Sequence, residues 1–160
     1  MSRWSVAVLV ALVALFFLAR WRYAGKAPVS LPAASCDASL WKHVYRPERL
    51  RVLEACTAVE GRVVSVARDE DGDLHIGLDP DEASVLNLVN AMHAGRRLIV
   101  ESVCDHTPKR EEAVAACTGF RSEITAPSVG GRIRVTGAYV RDRENGWNEI
   151  HPVTRIEILQ

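Results

Sequence analysis

Val140-Arg-Asp-Arg-Glu-Asn-Gly-Trp-Asn-Glu-Ile-His-Pro-Val153 is the stretch from which the fold is read. Asn145-Gly146 is the strongest short hairpin signal, because a type I′ turn needs positive φ at both central residues. With those two residues as the loop, Glu144 pairs with Trp147, Arg143 with Asn148, Asp142 with Glu149, and Val140 with His151. Two carboxylates then oppose each other on one face, with His151 two residues further along it. Like charges placed so destabilise a sheet, so a cation, a shared proton or a nearby arginine is expected to offset them.

The strands on either side extend the pattern. Residues 132–140 (R-I-R-V-T-G-A-Y-V) alternate, and residues 147–159 form the partner strand. Upstream, residues 57–68 read as a β-rich run with a bulge or bend at Gly61. Asp71-Gly72 is a second hairpin signal leading into residues 73–79, where Leu74, Ile76 and Leu78 alternate with polar or small residues. Residues 97–103 make a further strand. Helices are expected at 46–55, where Pro47 suits a first helical position, and at 109–116 after Pro108. A third is expected at 81–94, with Val85, Leu88, Val89 and Met92 on its apolar face. The class is therefore mainly β with accessory α: a small five-stranded OB-like barrel, with the 81–94 helix inserted between strands two and three.

The first 26 residues stand apart. Residues 6–19 are an uncharged apolar run between Arg3 and the basic Arg20, Arg22 and Lys26. Fourteen residues suit a signal-peptide core. Trp4 and Trp21, however, bracket the run as interfacial aromatics do, and at about 1.5 Å per residue they lie roughly 26 Å apart, near a bilayer's apolar thickness. Pro28 directly follows a small-x-small site, Gly25-Lys26-Ala27, and Ala33-Ala34-Ser35-Cys36 lacks the leucine of a lipoprotein cleavage box and lies far from the apolar run. The segment reads as an uncleaved N-terminal membrane helix at residues 1–26, contacting the bilayer through residues 4–21; a removed signal peptide is the alternative. Residues 27–35 (A-P-V-S-L-P-A-A-S) are a tether, and residues 36–160 form one barrel domain.

The basic residues flanking the apolar run slightly favour a cytoplasmic domain. Four cysteines, Cys36, Cys56, Cys104 and Cys117, all in the domain, argue for an oxidising compartment and outweigh a difference of about one charge. Three pairings are open. Beyond residue 26 the chain carries 16 basic and 20 acidic residues, a net charge of −4. That speaks against a nucleic-acid binder, which needs a basic stripe.

A resemblance adds to this reading. Cys36 with Trp41-x-x-Val-Tyr45, Arg49-Leu50, Cys56, Val59-x-Gly61, Asp71-Gly-Asp-x-His75, Glu101-x-Val-Cys104, Cys117, Pro127, Val135-x-Gly137 and Gly146-Trp-x-Glu-Ile-His-Pro-Val153 together resemble an uncharacterised family of small exported bacterial proteins with an OB-like barrel. The match covers nearly everything after the tether. It implies an extracytoplasmic barrel with Cys36–Cys56 and Cys104–Cys117 bridges, and it implies no activity. The rival for the second pair is a metal site from Cys104-Asp-His106 with Cys117, where only three ligands are in reach and a structural zinc site normally has four.

Candidate ligand-binding residues are Asp142, Trp147, Glu149, His151 and His75. Asp142, Glu149 and His151 could hold a divalent cation or act as acid and base. The bland reading is a surface patch neutralised by Arg141, Arg143 and Arg155. His75 lies on the non-core face of its strand and is expected opposite Arg68. Asp69-Glu-Asp-Gly-Asp73 resembles a calcium loop in composition, but Leu74 and Pro80 fall where such a loop needs Gly and Glu. Tyr139 shares parity with Ile133 and Val135 and is expected in the core; Trp147, beside the turn, is the aromatic contact candidate. No catalytic motif is recognised, and no cofactor is called for beyond that divalent cation. The expected function is a membrane-anchored extracytoplasmic binding or assembly module for a protein or small-molecule ligand. A metal-dependent hydrolase using Asp142, Glu149 and His151 is the alternative, and single-stranded nucleic-acid binding by fold analogy a weaker one.

Overall fold

A computed structural model describes residues 35–160; the expected membrane helix at 1–26 and nearly all of the tether lie outside the described residues. Among those described, no helix is long and apolar enough to cross a membrane.

Period-two alternation produces five strands: β1 (Leu50–Arg68), β2 (Leu74–Pro80), β3 (Leu98–Ser102), β4 (Arg132–Asp142) and β5 (Asn148–Leu159). They pair in the order β1-β2-β3-β5-β4, and β1 returns to pair with β4, closing the sheet. All pairs are antiparallel except β3 with β5. One side chain of each alternating pair points inward: Val59, Val63, Leu74, Ile76, Leu78, Leu98, Val100, Ile133, Val135 and Ile150 pack into one apolar core.

β1 serves two partners by bending. Gly61 pairs with Ile133 of β4 and also with Pro80 of β2. A Cβ there would lie 2.3 Å from the Asp79 carbonyl oxygen, so only glycine allows the two strands this close. Gly137 does the same opposite the final strand, where a Cβ would come within 2.6 Å of Ile150 Cγ2 and of the Pro152 carbonyl oxygen.

Three expected helices are shorter than their patterns suggest. At 46–55 there is one 3₁₀ turn, Pro47–Arg49, and then strand. Leu50 and Val52 pair with Asp142 and Val140 of β4, so a sheet edge in need of a partner overrides local helix propensity. At 109–116 the chain makes a 3₁₀ turn, Glu111–Ala113, and one α-turn, Val114–Cys117. At 81–94 a 3₁₀ turn, Ala83–Val85, and a helix, Leu88–His93, are separated by Asn87, whose side chain caps the helix in a capping box with Asn90. Only part of the expected apolar face is covered: Val85 packs against the core and Val89 is half-buried, but Leu88 and Met92 are exposed, and Asn90 is the fully buried residue. The insertion is fastened by amides instead. Asn90 Nδ2 donates to the carbonyls of Arg97 and Asn148, and its Oδ1 accepts the Asn148 N–H; Asn87 Nδ2 donates to the Gly146 carbonyl.

A second, smaller apolar cluster covers the outer face of the sheet. Val44, Leu50, Val103, Cys104, Ala138 and Val140 form it, with Leu40, Trp41, Cys117 and Phe120 packed against them. Disulfides join Cys36 to Cys56 and Cys104 to Cys117. This pairing matches the one the resemblance implies and removes the cysteine zinc reading, since neither sulfur is left as a thiolate.

Candidate functional site

The final hairpin corrects the register read from Asn145-Gly146. The Asp142 N–H donates to the Trp147 carbonyl and the Gly146 N–H to the Asp142 carbonyl, so the loop has four residues, 143–146. Of the two central residues, only Gly146 has positive φ. The cause is the Asp142 side chain: Oδ1 accepts the N–H groups of Glu144 and Asn145, and Oδ2 accepts from Asn145 Nδ2 and from the Arg49 guanidinium. An aspartate that caps the chain ahead of it builds a different turn. Glu149 therefore faces Val140, and Asp142 faces Trp147. The opposed carboxylates do not occur, and Asp142 has no oxygen left for an ion. His75 shifts likewise: residues 69–73 form the loop between β1 and β2, so His75 faces Ala67 rather than Arg68.

What the sheet assembles is a different group. Glu149 and His151 flank inward-pointing Ile150, so both point to the outer face. The parallel register sets Ile99 beside Glu149 and Val100 beside Ile150, which carries Glu101 next to His151; antiparallel pairing sets Glu101 beside His75. Asp73, two residues before His75, has the same parity. The second apolar cluster lies beside them, with Leu50 paired to Asp142 and Val140 to Glu149, and Asp73, Glu101, Asp142, Glu149 and His151 are all buried.

Glu101 is the hub. One of its oxygens lies 2.9 Å from His151 Nδ1 and 3.6 Å from the Arg49 guanidinium; the other lies 3.9 Å from His75 Nδ1. Glu149 meets His151 Nδ1 at 3.2 Å with one oxygen and accepts Trp147 Nε1–H at 2.9 Å with the other. His151 Nε2 faces Asp73 Oδ2 at 3.6 Å, and the other Asp73 oxygen accepts the Cys104 N–H. Among the described residues, three buried side-chain polar atoms have no hydrogen-bond partner: Asp73 Oδ2, His106 Nδ1 and His151 Nε2.

The electrostatics follow from this packing. Burial pushes the Asp73 carboxyl up to about 7, with only partial relief from His151. Burial and the Glu101 charge raise Glu149 as well. For Glu101, burial is outweighed by His151, His75 and Arg49, which hold it down at about 2. Burial likewise disfavours a charged His151, but Glu101 and Glu149 overcome it and raise the ring to about 10.

A cleft of about 330 Å³ opens over this group, with Arg49, Glu101, His75 and Trp147 among its walls and Tyr45, Arg46 and Glu144 at its rim. Of the sequence candidates, Trp147 and His75 line the cleft, Glu149 and His151 lie in the buried group, and Asp142 fixes the turn and Arg49. Tyr139 packs against the core, its hydroxyl donating to the Val85 carbonyl. Sequence reasoning missed Arg49, Asp73 and Glu101 as site residues. Glu101 had a local signal, a glutamate inside Leu98-Ile-Val-Glu-Ser102; Arg49 was hidden by the expected helix. No protein-family model matches this chain, and no curated protein matches it either.

Proposed function

We propose that this chain is an extracytoplasmic, membrane-anchored binding module with an OB-type barrel, which takes a small polar ligand in the cleft bounded by Arg49, His75, Glu101 and Trp147. The observation that carries the proposal is the floor of that cleft, where Glu101 and Arg49 sit at the edge of a buried charged network. Buried ion networks are weak stabilisers and often less favourable than apolar packing, so their retention at the base of an open cleft supports recognition. The closed strand order supports the OB-type barrel. The two disulfides support an oxidising compartment, and the apolar run at residues 6–19 supports the anchor. The cleft mixes Arg46, Arg49 and Arg110 with Asp69, Asp71, Glu101 and Glu144. That mixture favours a ligand carrying both donors and acceptors over a polyanion, as does the domain's charge.

Metal-dependent hydrolysis is the second reading. It is favoured by the group of Asp73, Glu101 and His151 beneath the same cleft, in place of one containing Asp142.

The Trp147 indole N–H, hydrogen-bonded to Glu149, is a reporter inside the cleft, and Trp41, packed in the second cluster, is an internal control. The detergent-solubilised full chain, labelled with ¹⁵N, is titrated with amino sugars, short peptides, di- and tricarboxylates, and oligo-dT. A saturable shift of the Trp147 indole signal with Trp41 unmoved is expected from one of the small polar classes. A response to oligo-dT alone would replace the reading with nucleic-acid binding, and no response of Trp147 across the panel would overturn it.

A further inference from the structure

A buried polar atom without a partner is costly, and folded chains retain few. Two of the three among the described residues, Asp73 Oδ2 and His151 Nε2, face each other at 3.6 Å. That is too long for a hydrogen bond. It is close to the spacing of two neighbouring ligands on a four-coordinate ion, whose bonds to N and O run about 2.0–2.2 Å.

The far side of the ring is arranged to match. His151 Nδ1 lies 2.9 Å from Glu101 Oε2 and 3.2 Å from Glu149 Oε1, and a ligating histidine almost always gives its second N–H to an acceptor that fixes the ring, a carboxylate among them. Asp73, Glu101 and His151 each offer an atom within 4.8 Å of the others. Charge gives an independent argument. Four buried carboxylates, Asp73, Glu101, Asp142 and Glu149, face Arg49 and a His151 ring that is neutral once it ligates, so the ionised group has three negative charges in excess, of which one divalent ion would offset two.

We infer that Asp73 Oδ2 and His151 Nε2 bind one divalent transition-metal ion, with Glu101 orienting the ring from Nδ1 and water completing the coordination. Imidazole beside carboxylate suits zinc or manganese rather than magnesium or calcium, which take oxygen ligands. The sulfurs of Cys104 and Cys117 come near Asp73 but are joined to each other. Glu101 lines the cleft, so the ion enters from there. Binding displaces the Nε2 proton to solvent, and affinity therefore rises with pH. The site goes beyond the cleft reading and would stand if the cleft bound no organic ligand.

The detergent-solubilised full chain, stripped with EDTA, is titrated with zinc chloride, and the loaded wild type is examined by X-ray absorption at the zinc edge. One equivalent is expected to bind, with a shell of nitrogen and oxygen that includes a single imidazole and no sulfur. Asp73→Asn should abolish the site. Glu101→Gln should weaken it by about 10–100-fold, as loss of a ring-orienting partner does. Glu70→Gln, at an exposed position on the neighbouring loop, should leave it unchanged. Absence of zinc binding by the wild type, sulfur in the shell, or an Asp73→Asn protein that binds as tightly as wild type would each overturn the inference. The wild-type spectrum decides the matter even if that variant fails to fold.

Discussion

The two acids that the hairpin pattern placed opposite each other have separate roles, and substitution distinguishes them. Asp142 is fully buried and its oxygens accept two backbone N–H groups, an amide and the Arg49 guanidinium. Asp142→Asn removes the charge facing Arg49 and one acceptor, and should cost about 3 kcal/mol, in the range for breaking a buried pair. Glu149 is already biased toward its protonated form by burial and by Glu101, so Glu149→Gln should cost about 1 kcal/mol or less. Urea unfolding at neutral pH measures both, and the reverse order would contradict these roles. The pH dependence also follows from single residues. Asp73 is raised from 3.8 to about 7 and His151 from 6.5 to about 10. Both hold protons in the folded chain that the unfolded chain has released, so both contributions are lost as pH rises through those windows. Glu101, lowered from 4.5 to about 2, acts in the opposite sense and is lost only as pH falls below its unfolded value. The EDTA-treated protein should therefore have a lower unfolding midpoint at about pH 9 than at about pH 6; a midpoint that rises over that interval would refute the burial of this group.

Local period-two alternation made most strand positions readable, because the core-facing side chains Leu74, Ile76, Leu78, Ile133 and Val135 recur at every second residue. Short helices were less legible. Residues 81–94 carry apolar residues at helical spacing, yet the chain turns at Asn87 and buries Asn90 in place of Leu88 and Met92. Amide hydrogen bonds to β5, some 58 residues away, leave no periodic trace in a sequence. Asn90→Ala should therefore destabilise the protein by about 1–3 kcal/mol, because the Asn148 backbone loses both buried partners. Met92→Ala, at an exposed position, should fall within about 0.5 kcal/mol of wild type. Denaturant titration of the two variants tests this, and equal effects would mean that the helix packs through its apolar side after all.

Arg49, Asp73, Glu101 and the hairpin that carries Asp142, Glu149 and His151 are far apart in sequence, and the pairing of all five strands brings them together. The sequence therefore offered the final hairpin as a site but not the partners that complete it: the nearest clue was Glu101 in an otherwise apolar strand, and nothing local linked Arg49 to Asp142. The cover over this face depends on the disulfide between Cys104 and Cys117, 13 residues apart, whose removal should cost around 3 kcal/mol in the chain-entropy picture. Placement of the whole domain outside the membrane is tested by an alkaline phosphatase fused after residue 160. The fusion should be active, and an inactive fusion beside an active cytoplasmic reporter would reverse the orientation. Four strands and the covering segment must all be in place for His151 to sit between Asp73 and Glu101, so its ring reports on the whole assembly. Long-range ¹H–¹⁵N correlation spectra of the EDTA-treated full chain, recorded from about pH 5 to about pH 9, follow that ring directly. The account predicts an imidazolium with both nitrogens protonated across the range. A neutral ring by pH 8, or ordinary titration near 6.5, would contradict it.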